Sequence, residues 1–164
     1  MNIFYAIEIK STPDVVFGWL EDPEKAMVWM TSVSKTEILH ETPDRVGTTF
    51  REIVEDEGGA MEMQGVIAGF EPDKSISFHL DSRVNTVDVT YSIEASGEGA
   101  RLVEEANVRW KFPVNIFSIF IGDKIKRNIT DQLQDEFNRL KELCEREVEP
   151  QRSEESEGVK GMGG

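Results

Sequence analysis

Up to Trp110 this chain is written mostly in period two, and from there to Pro150 in a period near 3.6. A chain ordered this way builds a sheet first and must then seat one long helix on it. At least six alternating segments precede the helical stretch, with two short helical pieces near the start. The stretch reads VNIFSIFIGDKIKRNITDQLQDEFNRLKELCEREVEP. Within it Ile125, Ile129, Leu133, Phe137, Leu140 and Cys144 recur every three or four residues and draw one apolar stripe. A curved sheet wrapped around such a helix tends to leave a cavity, so the expected class is α+β, with one core and a space inside it.

The first strand is set by Ile3, Tyr5, Ile7 and Ile9 on one face and Phe4, Ala6, Glu8 and Lys10 on the other. Thr12 and Pro13 then supply a helix start, with Val15, Val16, Trp19 and Leu20 as its apolar face. Asp22 and Pro23 repeat that grammar for a second short helix carrying Ala26, Met27, Trp29 and Met30. From Val33 onward, strand-like runs are separated by TPDRVG, EDEGGA, EPDKS and ASGEGA, connections short enough to require antiparallel neighbours. Ile76, Phe78 and Leu80 alternate with polar residues, as do Val87, Val89, Tyr91 and Ile93, so each strand has one dry face that needs a cover. The long helix is that cover, about 50 Å from Ile116 to Glu147 if unbroken, with Gly122 a place where it could kink. Residues 149–164 turn to Pro, Gly, Ser and charge and are expected to form a disordered tail, which leaves 1–148 as a single domain.

Composition excludes several functions. The net charge of -14 makes nucleic acid and anionic membranes poor partners, because phosphate binding draws on Lys and Arg displacing counterions. The longest apolar patch, Phe112 to Ile121, is interrupted and about half the ~20 residues that span a bilayer, so no stable membrane insertion is expected. With Cys144 the sole cysteine, no internal disulfide is possible, and the N-terminus lacks the pattern of a signal peptide. A cytoplasmic, soluble protein is the expectation. Cys144 lies on the apolar stripe beside Glu142, Glu145 and Glu147, which suits a buried hydrophobe better than a nucleophile.

The order strand, two short helices, six strands, long helix resembles the START and Bet v 1-like (SRPBCC) superfamily with its helix-grip fold. The likeness covers about residues 1–148. It is carried by IEIKSTPDVVFGWLEDPEKAMVWMTSV, by Val46-Gly47-Thr48, and by the Gly69–Ile76 turn GFEPDKSI. The polyketide cyclase or dehydratase-like branch looks most similar. The resemblance implies an internal cavity between the sheet and the last helix. Its lining, from the alternation, is expected to include Phe50, Met61, Met63, Ile67, Phe78, Leu80, Val89, Tyr91, Trp110, Phe117, Phe120, Ile121 and Ile125, although core filling is the plainer reading of any one of them.

Chemistry-bearing residues are sparse. Glu104 shares a face with Leu102, Ala106, Val108 and Trp110, which puts one carboxylate on the cavity side. It is the one weak candidate for an acid or base, and Tyr91 offers a phenol. His79 and His40 are expected at the surface. No spacing suggests a metal, no glycine-rich loop suggests a nucleotide, and no cofactor is implied. The segment Val114–Ile121 is too apolar all round for one helix face. It is expected to pack on the N-terminal helices, or else to gate the cavity or form a dimer contact. Three readings remain open: a binder of a small hydrophobic ligand (lipid, polyketide or similar metabolite), a cyclase-like or dehydratase-like enzyme in the same cavity, and a chaperone-activator-like module with a protein partner.

Overall fold

The structure is a computed structural model. It describes the backbone of residues 1–56 and 59–157; residues 57–58 and 158–164, and the side chains of 56, 114–121 and 148–157, lie outside what it describes. In chain order the elements are β1 (Asn2–Ile9), α1 (Pro13–Glu21), α2 (Pro23–Trp29), β2 (Val33–His40), β3 (Thr49–Asp56), β4 (Gly59–Glu71), β5 (Ser75–Ser82), β6 (Asn85–Ser96), β7 (Gly99–Trp110) and α3 (Val114–Glu157). The seven strands form one antiparallel sheet in the order β1-β7-β6-β5-β4-β3-β2. This is the expected helix-grip arrangement: an open, curved sheet with α1 and α2 carrying the chain from one edge strand to the other, and α3 on the concave face.

Period two decides which side chains meet. Ala100, Leu102, Glu104, Ala106 and Val108 of β7 are buried in alternation, opposite Ile93, Tyr91 and Val89 of β6. Helix α3 covers the β1–β7 side. Phe137, Leu140 and Cys144 are wholly buried there, whereas Ile125, Ile129 and Leu133 of the same stripe are only half-buried. Two polar ties fix the helix to β1: Lys141 Nζ donates to Glu8 O at 2.9 Å, and Lys10 N donates to Glu145 Oε1 at 3.0 Å. The helix passes Gly122 without a break. The expected tail of 149–164 falls on residues whose side chains, and from 158 whose backbone, lie outside the described residues.

The short helices start as their sequence grammar requires, with one difference. Asp22 Oδ1 accepts from Glu24 N at 2.9 Å and Lys25 N at 3.4 Å, capping α2. Thr12 stands at the corresponding place before α1 but makes no side-chain cap bond, so Pro13, which lacks an N–H to satisfy, begins that helix. Trp29 then locks the two helices to the core. Its Nε1 donates to Trp19 O at 3.0 Å, and its ring meets Phe137 edge-on at 5.8 Å and Tyr91 at 6.4 Å.

Candidate functional site

One open space among the described residues lies beneath α1 and α2. A cleft is lined by Leu20, Glu21, Pro23, Ala26, Trp29 and Met30 from the helices, Val33, Thr36 and Ile38 from β2, Arg45 from the β2–β3 turn, Phe50 and Glu52 from β3, Ile67, Phe78, Leu80, Val89 and Tyr91. Among the described residues α3 contributes nothing to it. The expected position between sheet and last helix therefore shifts sideways. The cause is the aromatic cluster of Tyr5, Phe137, Trp29 and Tyr91, with centroid separations from 5.1 to 6.4 Å, which fills the gap between α3 and the sheet. The space open to the centre of a water molecule is about 100 Å³. One water needs ~10–15 Å³ by that measure, so the cleft has room for an organic molecule of about one or two rings.

Of the residues expected to line a cavity, Phe50, Ile67, Phe78, Leu80, Val89 and Tyr91 line this cleft. Met61 and Met63 lie farther along β4, with Met63 buried and Met61 half-buried. Trp110 ends β7 at the margin of the core, and Ile125 is half-buried on α3. The side chains of Phe117, Phe120 and Ile121 are outside the described residues, as is the expected packing of Val114–Ile121.

Glu104 is on the concave face, as the β7 alternation implied, and only 4% exposed. It stands between Tyr5 of β1 and Tyr91 of β6 in the strand register, behind the cleft wall rather than on it. Burial pushes its carboxyl up to about 7, Glu136 pushes in the same direction, and the neighbouring Tyr91 phenol opposes both. Its Oε2 has no hydrogen-bond partner among the described residues. Glu136 descends from α3 and is well satisfied: its Oε1 accepts from Ser32 N at 3.0 Å, Ser32 Oγ and Thr31 Oγ1 at 3.1 Å, and Gln132 Nε2 at 3.2 Å.

Beside Glu21, the cleft wall carries a second acid, Glu52, which sequence reasoning missed. The signal was available, because Phe50, Glu52 and Val54 alternate on one face of β3, but an acid in that series reads as a solvent-facing residue. Burial alone pushes its carboxyl up to about 7. Burial, then the charges of Glu104, Glu136 and Glu52, raise the Tyr91 phenol well above its ordinary value. Tyr91 is thus a neutral hydroxyl with Glu104 beside it across β6 and β7 and Glu52 on the same cleft wall three strands away, groups able to bind a ligand oxygen or to give and take a proton. Arg45 and the helix residues Leu20, Trp29 and Met30 were also not anticipated on the wall, since nothing in a sequence says which side of a sheet a helix pair leaves uncovered.

Other candidates resolve simply. Cys144 is wholly buried, and burial, reinforced by Glu147 and Glu145, pushes its thiol up to about 12, the opposite of a reactive thiolate. His79 Nδ1 lies 2.6 Å from Asp88 Oδ1 on the outer face of the sheet. Among the described residues no group of His, Cys, Asp or Glu is arranged to hold a metal ion, and no helix is long and apolar enough to cross a membrane.

Comparison with solved structures agrees with this architecture. The Zhui aromatase/cyclase from a Streptomyces species superposes with a TM-score of 0.76 at 13% identity, over 90% of this chain and 95% of its own. A START superfamily protein from Mycobacterium smegmatis gives 0.75 at 17% identity, over 90% and 99%. A Thermus thermophilus protein gives 0.74 at 15% identity, over 90% and 99%. At these identities the likeness is one of fold. No curated protein sequence matches the chain. The family model described as polyketide cyclase / dehydrase and lipid transport matches residues 3–145, which is nearly the whole of the folded sheet and helix. On that match the chain belongs to the polyketide cyclase / dehydrase and lipid transport family.

Proposed function

We propose that the protein binds a small hydrophobic ligand in the cleft beneath α1 and α2, with Tyr91 and Glu52 as the polar groups that orient it and Glu104 as the charge behind them. The observation that carries this reading is the wall itself. Leu20, Trp29, Met30, Ile67, Phe78, Leu80 and Val89 provide apolar surface from both layers, and only a few polar side chains converge on it, the composition expected of a small-molecule site. Family membership supports the same reading without naming the ligand.

The test is direct titration with a neutral apolar fluorophore, N-phenyl-1-naphthylamine, alongside native mass spectrometry of protein purified from cells. Saturable binding that is lost in Val89→Trp, which fills the cleft, is the expected result. Absence of binding in the native protein, or binding indifferent to that substitution, refutes the proposal.

One observation favours a second reading, a cyclase-like or dehydratase-like enzyme. Glu52 and Glu104 both have carboxyl values near 7, where a general acid or base works best at neutral pH. An enzyme predicts that Glu52→Gln keeps ligand affinity and loses turnover, whereas a carrier has no turnover to lose.

A further inference from the structure

The Glu52 carboxyl is a charge without a counterpart. It projects from the middle of β3, with Thr36 of β2 and Met63 of β4 as its partners in the strand register, and neither carries a charge. Burial is the sole cause of its raised value; neither a hydrogen bond nor a neighbouring charge among the described residues acts on it. An ionised carboxylate taken out of water with no partner is unfavourable, so the group takes up either a proton or a cation. Glu52 differs from Glu104 in access. Glu104 is 4% exposed and stands behind the wall, whereas Glu52 is half-buried and borders the open space itself. A ligand in the cleft can therefore touch Glu52 and supply what the protein does not.

The rest of the wall favours the cation. Arg45 is the single basic side chain on it among the described residues, and its guanidinium is engaged elsewhere. Nη2 donates to Glu21 O at 3.1 Å, Nη1 lies 3.7 Å from Glu41 Oε1, and the group sits over the Phe70 ring, 5.3 Å from its centroid. Glu21 brings a second carboxyl to the wall, and Trp29, Phe50, Phe78 and Tyr91 bring four aromatic rings, whose faces attract a cation that has left water. The net charge of -14 draws cations toward an apolar recess of this kind. An anionic ligand meets the opposite conditions.

We propose that the cleft selects a ligand made of an apolar body of one or two rings bearing a protonated amine, with the ammonium held at Glu52 and the rings among Phe78, Leu80 and Val89. The proposal rests on the ligand-binding reading above, not on its enzymatic alternative. It adds the chemical class of the ligand and the group that sets it.

Four matched probes test it by displacement of N-phenyl-1-naphthylamine at pH 8, above the Glu52 value: 2-naphthylmethylamine, 2-naphthylmethanol, 2-methylnaphthalene and 2-naphthoate. The native protein is expected to bind the amine on the order of ten-fold more tightly than the hydrocarbon, the scale of one hydrogen bond between charged groups. The alcohol, which donates without a charge, should fall between them, and the carboxylate should bind worst. In Glu52→Gln, which keeps the shape and removes the charge, the ratio of amine to hydrocarbon affinity collapses. Equal affinity for amine and hydrocarbon in the native protein overturns the proposal and needs no variant. So does an alcohol that matches the amine, a carboxylate that binds best, or an amine preference that survives Glu52→Gln. Where the fluorophore binds and these comparisons fail, this proposal alone is refuted. If the fluorophore itself does not bind the native protein, the ligand-binding reading has failed, and this proposal falls with it.

Discussion

Glu104 makes the stability of this protein depend on pH in an unusual direction. Its carboxyl is pushed from 4.5 up to about 7 in the folded state, so between those two values the folded chain holds a proton that the unfolded chain has released. Stability rises with pH where the unfolded state binds more protons; here the folded state binds more, so the contribution of Glu104 is fully present below about pH 4.5 and is lost as pH rises through about 7. An interval of about 2.5 pH units at ~1.36 kcal/mol each corresponds to about 3 kcal/mol. At 4% exposure the group has little solvent to screen it. Glu104→Gln cannot ionise. Near pH 4.5 it should be about 1 kcal/mol less stable than the native protein, because its amide gains a donor where Oε2 already has no partner. By pH 8 it should be more stable by about 2 kcal/mol, a swing of about 3 kcal/mol in its favour. In a chain of this size that swing is about 6–12 °C in melting temperature. Urea unfolding of both proteins at pH 4.5, 6, 7 and 8 measures it. A stability difference that stays constant over this range refutes the assignment of a neutral, buried Glu104, and a difference that grows in the opposite sense refutes its cause.

Other substitutions probe the parts that shape the cleft. Gly65 lies under the Phe50 ring, and a Cβ there would overlap that ring, so Gly65→Ala is expected to destabilise the fold by ~1–3 kcal/mol and to weaken binding of the neutral fluorophore, read by thermal melts and titration. Glu136→Ala removes the shared acceptor for Thr31, Ser32 and Gln132. It should cost ~2–4 kcal/mol in urea unfolding and loosen the α2–β2 connection toward proteolysis. Cys144, buried with its thiol pushed up to about 12, should react with a disulfide reagent at pH 8 only as fast as the protein opens, and at the free-thiol rate in urea. Rapid labelling of the native protein would contradict its placement.

How far the sequence was legible differs between elements for a physical reason. Strands and helices are set by local period and by local punctuation, and both are written in the chain. The alternation of Leu102, Glu104, Ala106 and Val108 fixed the face of β7, and Asp22 with Pro23 fixed the start of α2. The α3 stripe was equally plain, but not how deeply each residue of it would be buried. Phe137, Leu140 and Cys144 are closed in by β1 and the short helices, while Ile125, Ile129 and Leu133 have less above them. Depth of burial depends on what the rest of the chain brings to the same place.

The site shows the same division more sharply. Among the described residues alternation put Phe50, Ile67, Phe78, Leu80, Val89, Tyr91 and Glu104 on the inner face but not Glu52, and an inward side chain has two fates, core or cleft, which period two does not distinguish. The choice is made by a few large residues. Phe137 from α3 and Trp29 from α2 meet over Tyr91 and close the space on the β1–β7 side. The unfilled volume is thereby displaced beneath α1 and α2, toward β3 and the β2–β3 turn. That displacement moves Glu104 from the expected cavity wall to a place behind it, and brings forward Glu52 and Arg45, which no motif marked. Polar chemistry in this protein is therefore assigned by aromatic packing. Phe137→Ala should carry the consequence furthest: by emptying the space above Tyr91 it is expected to cost ~3–5 kcal/mol and to join the buried Glu104 to the cleft. Its carboxyl value should then fall back toward 4.5 as water reaches it, which a pH titration of the Glu104 side-chain carbon resonance by NMR would register. A value still near 7 in that variant would mean that neighbouring charge, and not burial beneath Phe137, holds Glu104 neutral.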